Sequence, residues 1–164
     1  MPMSCLRESI LQADPSCQEL REAVVQASSL TVMLGAAWKW ARALTVQLVE
    51  EVLAERAQQP TEWPLCPQCG SRLQSKGWVS RQITSLFGVI RWERRTGRCP
   101  QGCHLGQVAP LDEALGLEAN QQSSAELQRA ACALAVFVPF ETVVVLMGLL
   151  TGVTVSPGDR KSVV

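Results

Sequence analysis

The stretch CPQCGSRLQSKGWVSRQITSLFGVIRWERRTGRCPQGC, residues 66–103, carries a pair of cysteines at each end and many arginines between them. WVSRQIT at 78–84 and VIRWERR at 89–95 are rich in strand-forming residues, and a glycine-containing turn separates them. The sequence therefore predicts a β-hairpin that joins the two cysteine pairs.

The cysteine pairs have the spacing of a metal site. Cys66 and Cys69 form C-x2-C, in which a tight turn directs two thiols at one ion and Gly70 supplies the backbone conformation. Cys99 and Cys103 form C-x3-C after a gap of twenty-nine residues. Because four thiolates leave no open position for a catalytic water, we expect a structural Zn²⁺ ion.

Two alternatives follow from the same residues. His104, next to the second pair, offers an imidazole in place of one thiolate. A redox dithiol at the first pair would need a helix N-terminus to lower a thiol pKa, whereas the sequence predicts a turn and a strand there. The remaining cysteines lack partners at ligand spacing, and we interpret them as ordinary small apolar residues: Cys5, Cys17 and Cys132.

Basic residues are concentrated in the hairpin, although the formal net charge of the chain is zero. Residues 66–103 carry seven Lys and Arg against one acidic residue, and Trp78 and Trp92 lie among them. Arginine binds phosphate in a bidentate manner, and flat aromatic rings stack on bases. We expect DNA contact, the alternative being a solvated hairpin with charges that protect its edges. The predicted DNA contacts here are Arg72, Lys76, Arg81, Arg91, Arg94, Arg95 and Arg98.

An amphipathic helix precedes the cysteine segment. Apolar residues recur at helical spacing over 36–56, and Pro60 ends the pattern. They predict one packed face formed by Ala37, Ala41, Leu44, Leu48 and Val52. Residues 1–28 are polar and weakly periodic, so we expect a mobile or marginally helical lead-in.

Helix signals return after the hairpin. Ser123, with Glu126 three residues later, has the pattern of a capping box at the start of a first helix. Pro139 suits the first turn of a second helix, and Gly152 suits its end. The sequence therefore predicts two consecutive helices in this region.

A third helical pattern begins at Ser156. The link before it is short, as in a helix-turn-helix, although generic helical bundles share the arrangement. In a helix-turn-helix the last helix enters the major groove of DNA, and here it would expose Arg160 and Lys161.

The apolar segment at 131–153 is as long as a membrane span. Pro139 and Glu141 interrupt its centre, where a helix break and a charge are costly in lipid, so we expect two short buried helices and no membrane partner. The N-terminus carries charges and a proline where a signal peptide has an apolar run. We therefore expect a reducing compartment, such as the cytoplasm.

These patterns predict a mixed, mainly α fold in three segments. Residues 1–62 form an N-terminal helical lead-in, residues 63–109 a zinc-ribbon-like module with a basic hairpin, and residues 110–164 a helix-turn-helix-like segment. The central segment is basic, and the two outer segments are acidic on balance.

With these residues in place, the chain resembles the N-terminal region of bacterial insertion-sequence transposases of the ISKra and ISLre type. The resemblance covers the chain from about Trp63 onward and rests on the order and spacing of five blocks. These blocks are CPQCGSRLQSKG at 66–77, the set Arg81, Ile83, Thr84, Gly88 and Ile90, the arginine strand into the second cysteine pair, PLDEALGL at 110–117, and VPFETVVVLMGLLTGVTVS at 138–156.

The resemblance implies a zinc-binding segment and a helix-turn-helix that precede an RNase H-like domain with three metal-binding carboxylates. By position, the zinc ligands would be Cys66, Cys69, Cys99 and Cys103, and residues 81–98 would lie on the DNA-facing module. We expect the catalytic carboxylates to have no counterpart here, because the sequence stops before the position where that domain should begin. Asp112 and Glu113 lie in the block PLDEALGL, and we interpret them as the start of a helix.

We therefore expect a zinc-dependent fragment that binds the double-stranded DNA of insertion-sequence ends without catalysing transposition by itself. A second copy of the chain and a full-length transposase are further expected partners. The resemblance also implies a location in the bacterial cytoplasm, in association with the nucleoid. The alternatives are a protein-interaction adaptor, suggested by the long apolar C-terminal stretch, and a non-functional transposase remnant with a structural zinc module.

Overall fold

The computed structural model describes residues 15–103 and 106–153. This part of the chain contains five helices and one two-stranded antiparallel sheet. In chain order the elements are α1 (Pro15–Val25), α2 (Leu30–Gln58), β1 (Gln74–Thr84), β2 (Val89–Arg98), α3 (Pro110–Ala114), α4 (Ala125–Ala135) and α5 (Phe140–Thr151). Roughly half of the described residues are helical, and the expected mixed class is confirmed.

The chain divides into two units after Thr45, which lies within α2. In the first unit, the Ser29 hydroxyl accepts a hydrogen bond from the Val32 amide at 3.3 Å, as an N-cap residue does. The helix therefore begins at Leu30, before the start that the periodicity indicated.

In the second unit, the face that α2 buries differs from the predicted one. Leu53 and Ala57 are buried and Val49 packs beside them, whereas Leu48 is 58% exposed and Val52 is 40% exposed. The predicted face was wrong here because several stripes of α2 are similarly apolar. Contact with the hairpin selects among them, and periodicity does not record that contact.

The predicted hairpin is confirmed, and both strands are longer than expected. The register pairs Thr84 with Val89 next to the turn and Gln74 with Arg98 at the other end, with an irregularity between Ser75 and Gly77. The Ser85 amide donates to the Gly88 carbonyl at 2.8 Å, and Gly88 has φ 145°, a conformation that favours glycine.

Neighbouring segments cover parts of both hairpin edges. On the β1 side, the Thr84 amide donates to the carbonyl of Gln122 at 2.8 Å. On the β2 side, Gly97 exchanges two backbone hydrogen bonds with Val108, and the Arg91 amide donates to the Glu50 carboxylate at 2.7 Å. These contacts occupy backbone groups that would otherwise invite pairing with another chain.

Three apolar clusters hold the second unit together. The first joins α4 to α5, the second joins α2 to the hairpin and to the α3 region, and the third surrounds two cysteines. Their buried members are, in turn, Leu127, Ala131, Val143, Met147 and Val153; Leu53, Ile83 and Trp92; and Cys66, Leu73 and Cys99.

The capping box expected at Ser123 is wrong by one residue. Ser124 is the N-cap of α4, and its hydroxyl accepts from the Leu127 amide at 3.3 Å. Ser123 is buried, forms a parallel bridge with Thr84, and accepts a hydrogen bond from the Gln128 side chain at 3.0 Å. Pairing with the hairpin therefore removes Ser123 from the capping role.

The apolar segment at 131–153 forms parts of two helices, as its interruption by Pro139 indicated. Gly152 ends α5 with φ 64°, as predicted. Each helix buries only one face, so the expectation of two buried helices was too strong. The large apolar residues left exposed here are Val136, Phe137, Val145, Leu149 and Leu150. Within the described part of the chain, no helix has both the length and the apolar composition needed to cross a membrane.

Candidate metal centre and basic surface

The hairpin brings the two cysteine pairs together. The sulfur atoms of Cys66, Cys69, Cys99 and Cys103 all lie within 4.8 Å of one another. All four are free thiols, and the Sγ atoms of Cys69 and Cys99 lie 3.4 Å apart. Two segments far apart in sequence thus form one cluster.

Each cysteine pair lies on a tight turn. The Gly70 amide donates to the Cys66 carbonyl at 2.8 Å, and the Gly102 amide donates to the Cys99 carbonyl at 3.3 Å. Both glycines have left-handed backbones, with φ 70° and 71°. A side chain at either position would strain this turn, and the turn aims the thiols inward.

The four thiols fit a tetrahedral metal ion. Sulfur atoms 2.3 Å from a tetrahedral zinc ion are about 3.8 Å apart, which is compatible with the separations in this cluster. A set of four thiols favours soft or borderline ions such as Zn²⁺ or iron. The cluster is therefore a possible metal site whose ligands are already gathered.

Local hydrogen bonds give the thiols different acidities. The Ser71 hydroxyl and amide, followed by Cys99, lower the pKa of Cys69 to about 6. Interactions with Cys69 and then Cys99 raise the pKa of Cys103 to about 12. At neutral pH one thiolate is therefore ready to bind a cation, whereas Cys103 must lose its proton to do so.

Apolar packing supports the cluster. Trp63, Cys103 and Val108 pack against buried Cys66, Leu73 and Cys99. The ring of Trp63 lies so close to Gly97 that any side chain there would overlap it. The bulk around the thiols therefore comes from one aromatic ring and a few aliphatic side chains, a small core that a bound ion would reinforce.

The structure places two of the predicted DNA-binding arginines inside the protein. Arg81 is buried and donates to the Asp112 carboxylate at 2.7 Å, and its guanidinium also binds the backbone carbonyls of Glu118 and Gln121. Arg94 donates to the same Asp112 oxygen at 2.6 Å. These guanidinium groups are engaged within the fold, so we remove both from the candidate DNA surface.

The other predicted contacts on the hairpin lie at the surface. Arg72, Lys76, Arg91 and Arg98 are exposed, and within the described ranges no ion pair engages them. Arg95 is half-buried, and its guanidinium carbon lies 4.9 Å from the centre of the Trp78 ring. We call these five residues the basic surface.

Some predicted features lie outside the described residues. These are His104, Cys5, and the third helical pattern from Ser156 with Arg160 and Lys161. Cys132 is exposed on α4 and does not belong to the cysteine cluster.

The sequence reasoning missed three residues that build this region. Asp112 was interpreted as a helix-start residue, yet its carboxylate binds two arginines from the hairpin. Ser71 donates to Cys69, and Trp63 packs against the cluster that contains Cys66 and Cys99. Ser71 follows Cys69 and Gly70 directly in the sequence, and this position could have indicated its hydrogen bond to Cys69. The pairing of Asp112 with distant arginines has no local sequence pattern.

Comparison with protein-family models and with curated proteins yields no match. The function must therefore be argued from the chain itself.

Proposed function

We propose that the protein is a zinc-dependent DNA-binding module without catalytic activity of its own. The observation that carries this proposal is the placement of four gathered thiols at one end of a hairpin that exposes basic side chains. A metal ion would fix the hairpin, and the hairpin would present its cations to phosphate. The metal would be structural, because four thiolates leave no coordination position open.

Net charge supports this assignment after the inward-facing arginines are removed. Arg81 and Arg94 share Asp112, which leaves the five cations of the basic surface against Glu93 in the segment between the cysteine pairs. Phosphate binding by such a surface releases counterions, so its affinity should fall as salt rises.

The resemblance to ISKra- and ISLre-type transposases gives this proposal a context. In that context the chain would bind the ends of an insertion element and would need a catalytic domain from elsewhere for strand transfer. The helix-turn-helix is part of the same proposal, with α5 as its first helix and the pattern from Ser156 as its second.

Separate substitutions test the metal site. Cys103→Ser should abolish tight zinc binding, while His104→Ala should retain one zinc ion per chain if four thiolates are the ligands. Elemental analysis of the purified variants gives the stoichiometry. Retention of zinc by Cys103→Ser together with its loss from His104→Ala would instead assign the fourth ligand to the histidine.

Charge removal tests the DNA surface. Arg72→Ala and Arg98→Ala should each weaken binding to a random-sequence duplex and lower the salt slope by about one unit. Arg129→Ala removes an exposed positive charge from α4 and serves as the matched control, with unchanged affinity. Equal losses from all three variants would show only a general charge effect and would contradict a hairpin surface.

The exposed apolar residues of α5 and of the link before it favour a second function, that of a protein-interaction adaptor. Phe137 is 84% exposed and Leu149 is 78% exposed, which is unusual for side chains of this size. An adaptor would bind its partner through these residues and would tolerate Arg72→Ala and Arg98→Ala. If the exposed apolar residues bind a second copy of the chain, Arg72→Ala and Arg98→Ala should leave this self-association unchanged. Loss of DNA affinity in the same variants would then show that the two functions use different surfaces.

A further inference from the structure

One face of the hairpin is open over its outer half. Side chains alternate between the two faces of a strand, so the register places three cross-strand pairs on the same face. Starting near the cysteines, these are Trp78 with Arg95, Ser80 with Glu93, and Gln82 with Arg91. All except the partly covered Arg95 are exposed.

The opposite face is closed by the protein. It carries Ile83 and Trp92 in the apolar cluster with α2, and Arg81 and Arg94 bound to Asp112. The hairpin therefore has a structural side and a second side, the free side, which is open next to the turn and consists mainly of polar groups.

The part of the free side nearer the cysteines is bordered by α2. Trp78 and Glu93 line a cavity of about 390 Å³ together with Ala54, Ala57 and Gln58. The unobstructed cross-strand pair is therefore Gln82 with Arg91.

The free side has the size and the chemistry of a reader of double-stranded DNA. The major groove admits a two-stranded β-ribbon, and bidentate pairing there favours arginine with guanine and glutamine with adenine. Gln82 and Arg91 face each other across the strands near the turn, which is the end of the hairpin farthest from the cysteines.

The spacing of the pairs matches the spacing of bases. Residues on one face of a strand are about 7 Å apart, because each residue advances the strand by about 3.4 Å. Base pairs stack about 3.4 Å apart, so successive pairs on the hairpin are separated by about two base-pair steps.

Charge indicates which edge of the hairpin faces the nearer phosphates. Glu50 stands beside β2, where it accepts the Arg91 amide, and it would repel a phosphate strand. No acidic residue occurs in β1, Gln74–Thr84, and Lys76 lies at its irregularity. Thr84, next to the turn, is paired with residues 122–124, so the part of the β1 edge before Thr84 is the more favourable path for a DNA backbone.

We propose that the hairpin enters the major groove of double-stranded DNA as a two-stranded ribbon, with Gln82 and Arg91 reading base edges there. This inference rests on the proposed DNA-binding function and adds sequence-specific reading to it. Arg72, Lys76 and Arg98, at the cysteine end, would hold phosphates and fix the position of the ribbon on the duplex.

The test uses the full chain loaded with zinc and a pool of duplexes with a random central segment. Bound duplexes are recovered and sequenced, and total affinity for the pool is measured in parallel. We expect the wild-type protein to enrich a short motif that includes guanine and adenine at neighbouring positions. Zinc content and circular dichroism verify that each variant is folded. We expect the variants to fold because Gln82 and Arg91 are exposed.

Arg91→Lys is the decisive variant because it keeps the charge and removes the bidentate fork. We expect its preference for guanine to fall about tenfold, with total affinity for the pool changed less than about twofold. Gln82→Ala should erase the adenine preference in the same way. Arg98→Lys, a change at a phosphate-holding position, should leave the motif intact.

The outcomes separate this inference from the function on which it rests. Failure of the wild-type protein to retain any duplex would overturn the DNA-binding function itself. Retention of duplexes without an enriched motif, or with a motif unchanged in Arg91→Lys and Gln82→Ala, would overturn ribbon reading alone.

Discussion

Asp112 connects both strands of the hairpin to α3 through ion pairs. One of its carboxylate oxygens accepts from both Arg81 and Arg94, and all three side chains are largely removed from solvent. Loss of this carboxylate would leave two buried cations without a counter-charge, and breaking a buried ion pair from one side is strongly destabilising.

Asp112→Asn should therefore lower the free energy of unfolding by about 3–5 kcal/mol. Glu113→Gln is the matched control, since Glu113 lies next to it in α3 and is exposed, and its effect should stay within about 0.5 kcal/mol. Urea denaturation of the zinc-loaded protein measures both. Similar small effects of the two substitutions would show that the ion network does not support the hairpin.

The unequal thiols predict a pH-dependent metal affinity. The pKa of Cys103 is raised to about 12, so this thiol keeps its proton at neutral pH until a metal displaces it. The pKa of Cys69 is lowered to about 6, so its proton is already lost. Each proton released on binding makes the affinity rise tenfold per pH unit, so zinc affinity should rise at least about tenfold between pH 7 and pH 8. Competition with a chromophoric chelator measures this rise, and a flat profile would contradict thiolate ligation by Cys103.

At the scale of elements, sequence patterns predicted the features that short-range interactions determine. The strand-forming runs with a glycine turn gave the hairpin, the cysteine spacing gave the cluster, and Pro139 and Gly152 gave the limits of α5. Long-range contacts decided the rest. The buried face of α2 depends on its contact with Trp92, and Ser123 left its capping role because it pairs with Thr84.

The corrected face of α2 can be tested with two leucines of the same helix. Leu53→Ala removes a side chain buried against Ile83 and Trp92 and should destabilise the protein by about 2–4 kcal/mol. Leu48→Ala makes the same chemical change at a position that is 58% exposed and should cost less than about 0.5 kcal/mol. Thermal unfolding compares them, and a larger effect at Leu48 would restore the face suggested by periodicity.

At the scale of the whole molecule, three small clusters stabilise the second unit, and one of them surrounds the thiols. Clusters of this size bury little apolar surface, so a metal ion would contribute much of the stability of its own region. The proposed DNA surface lies on the hairpin, and the cysteine cluster joins the two ends of that hairpin. Loss of the metal should therefore lower the affinity for DNA, and restoring the metal should restore that affinity.

The most direct test of this account is duplex binding by the full chain before and after zinc removal, at two salt concentrations. Protein with one zinc ion per chain should bind a duplex, and the affinity should fall at least about tenfold between 50 mM and 200 mM salt. A strong chelator should abolish the binding, and added Zn²⁺ should restore it. Undiminished DNA binding after complete zinc removal, or no DNA affinity in the zinc-loaded protein, would contradict the account.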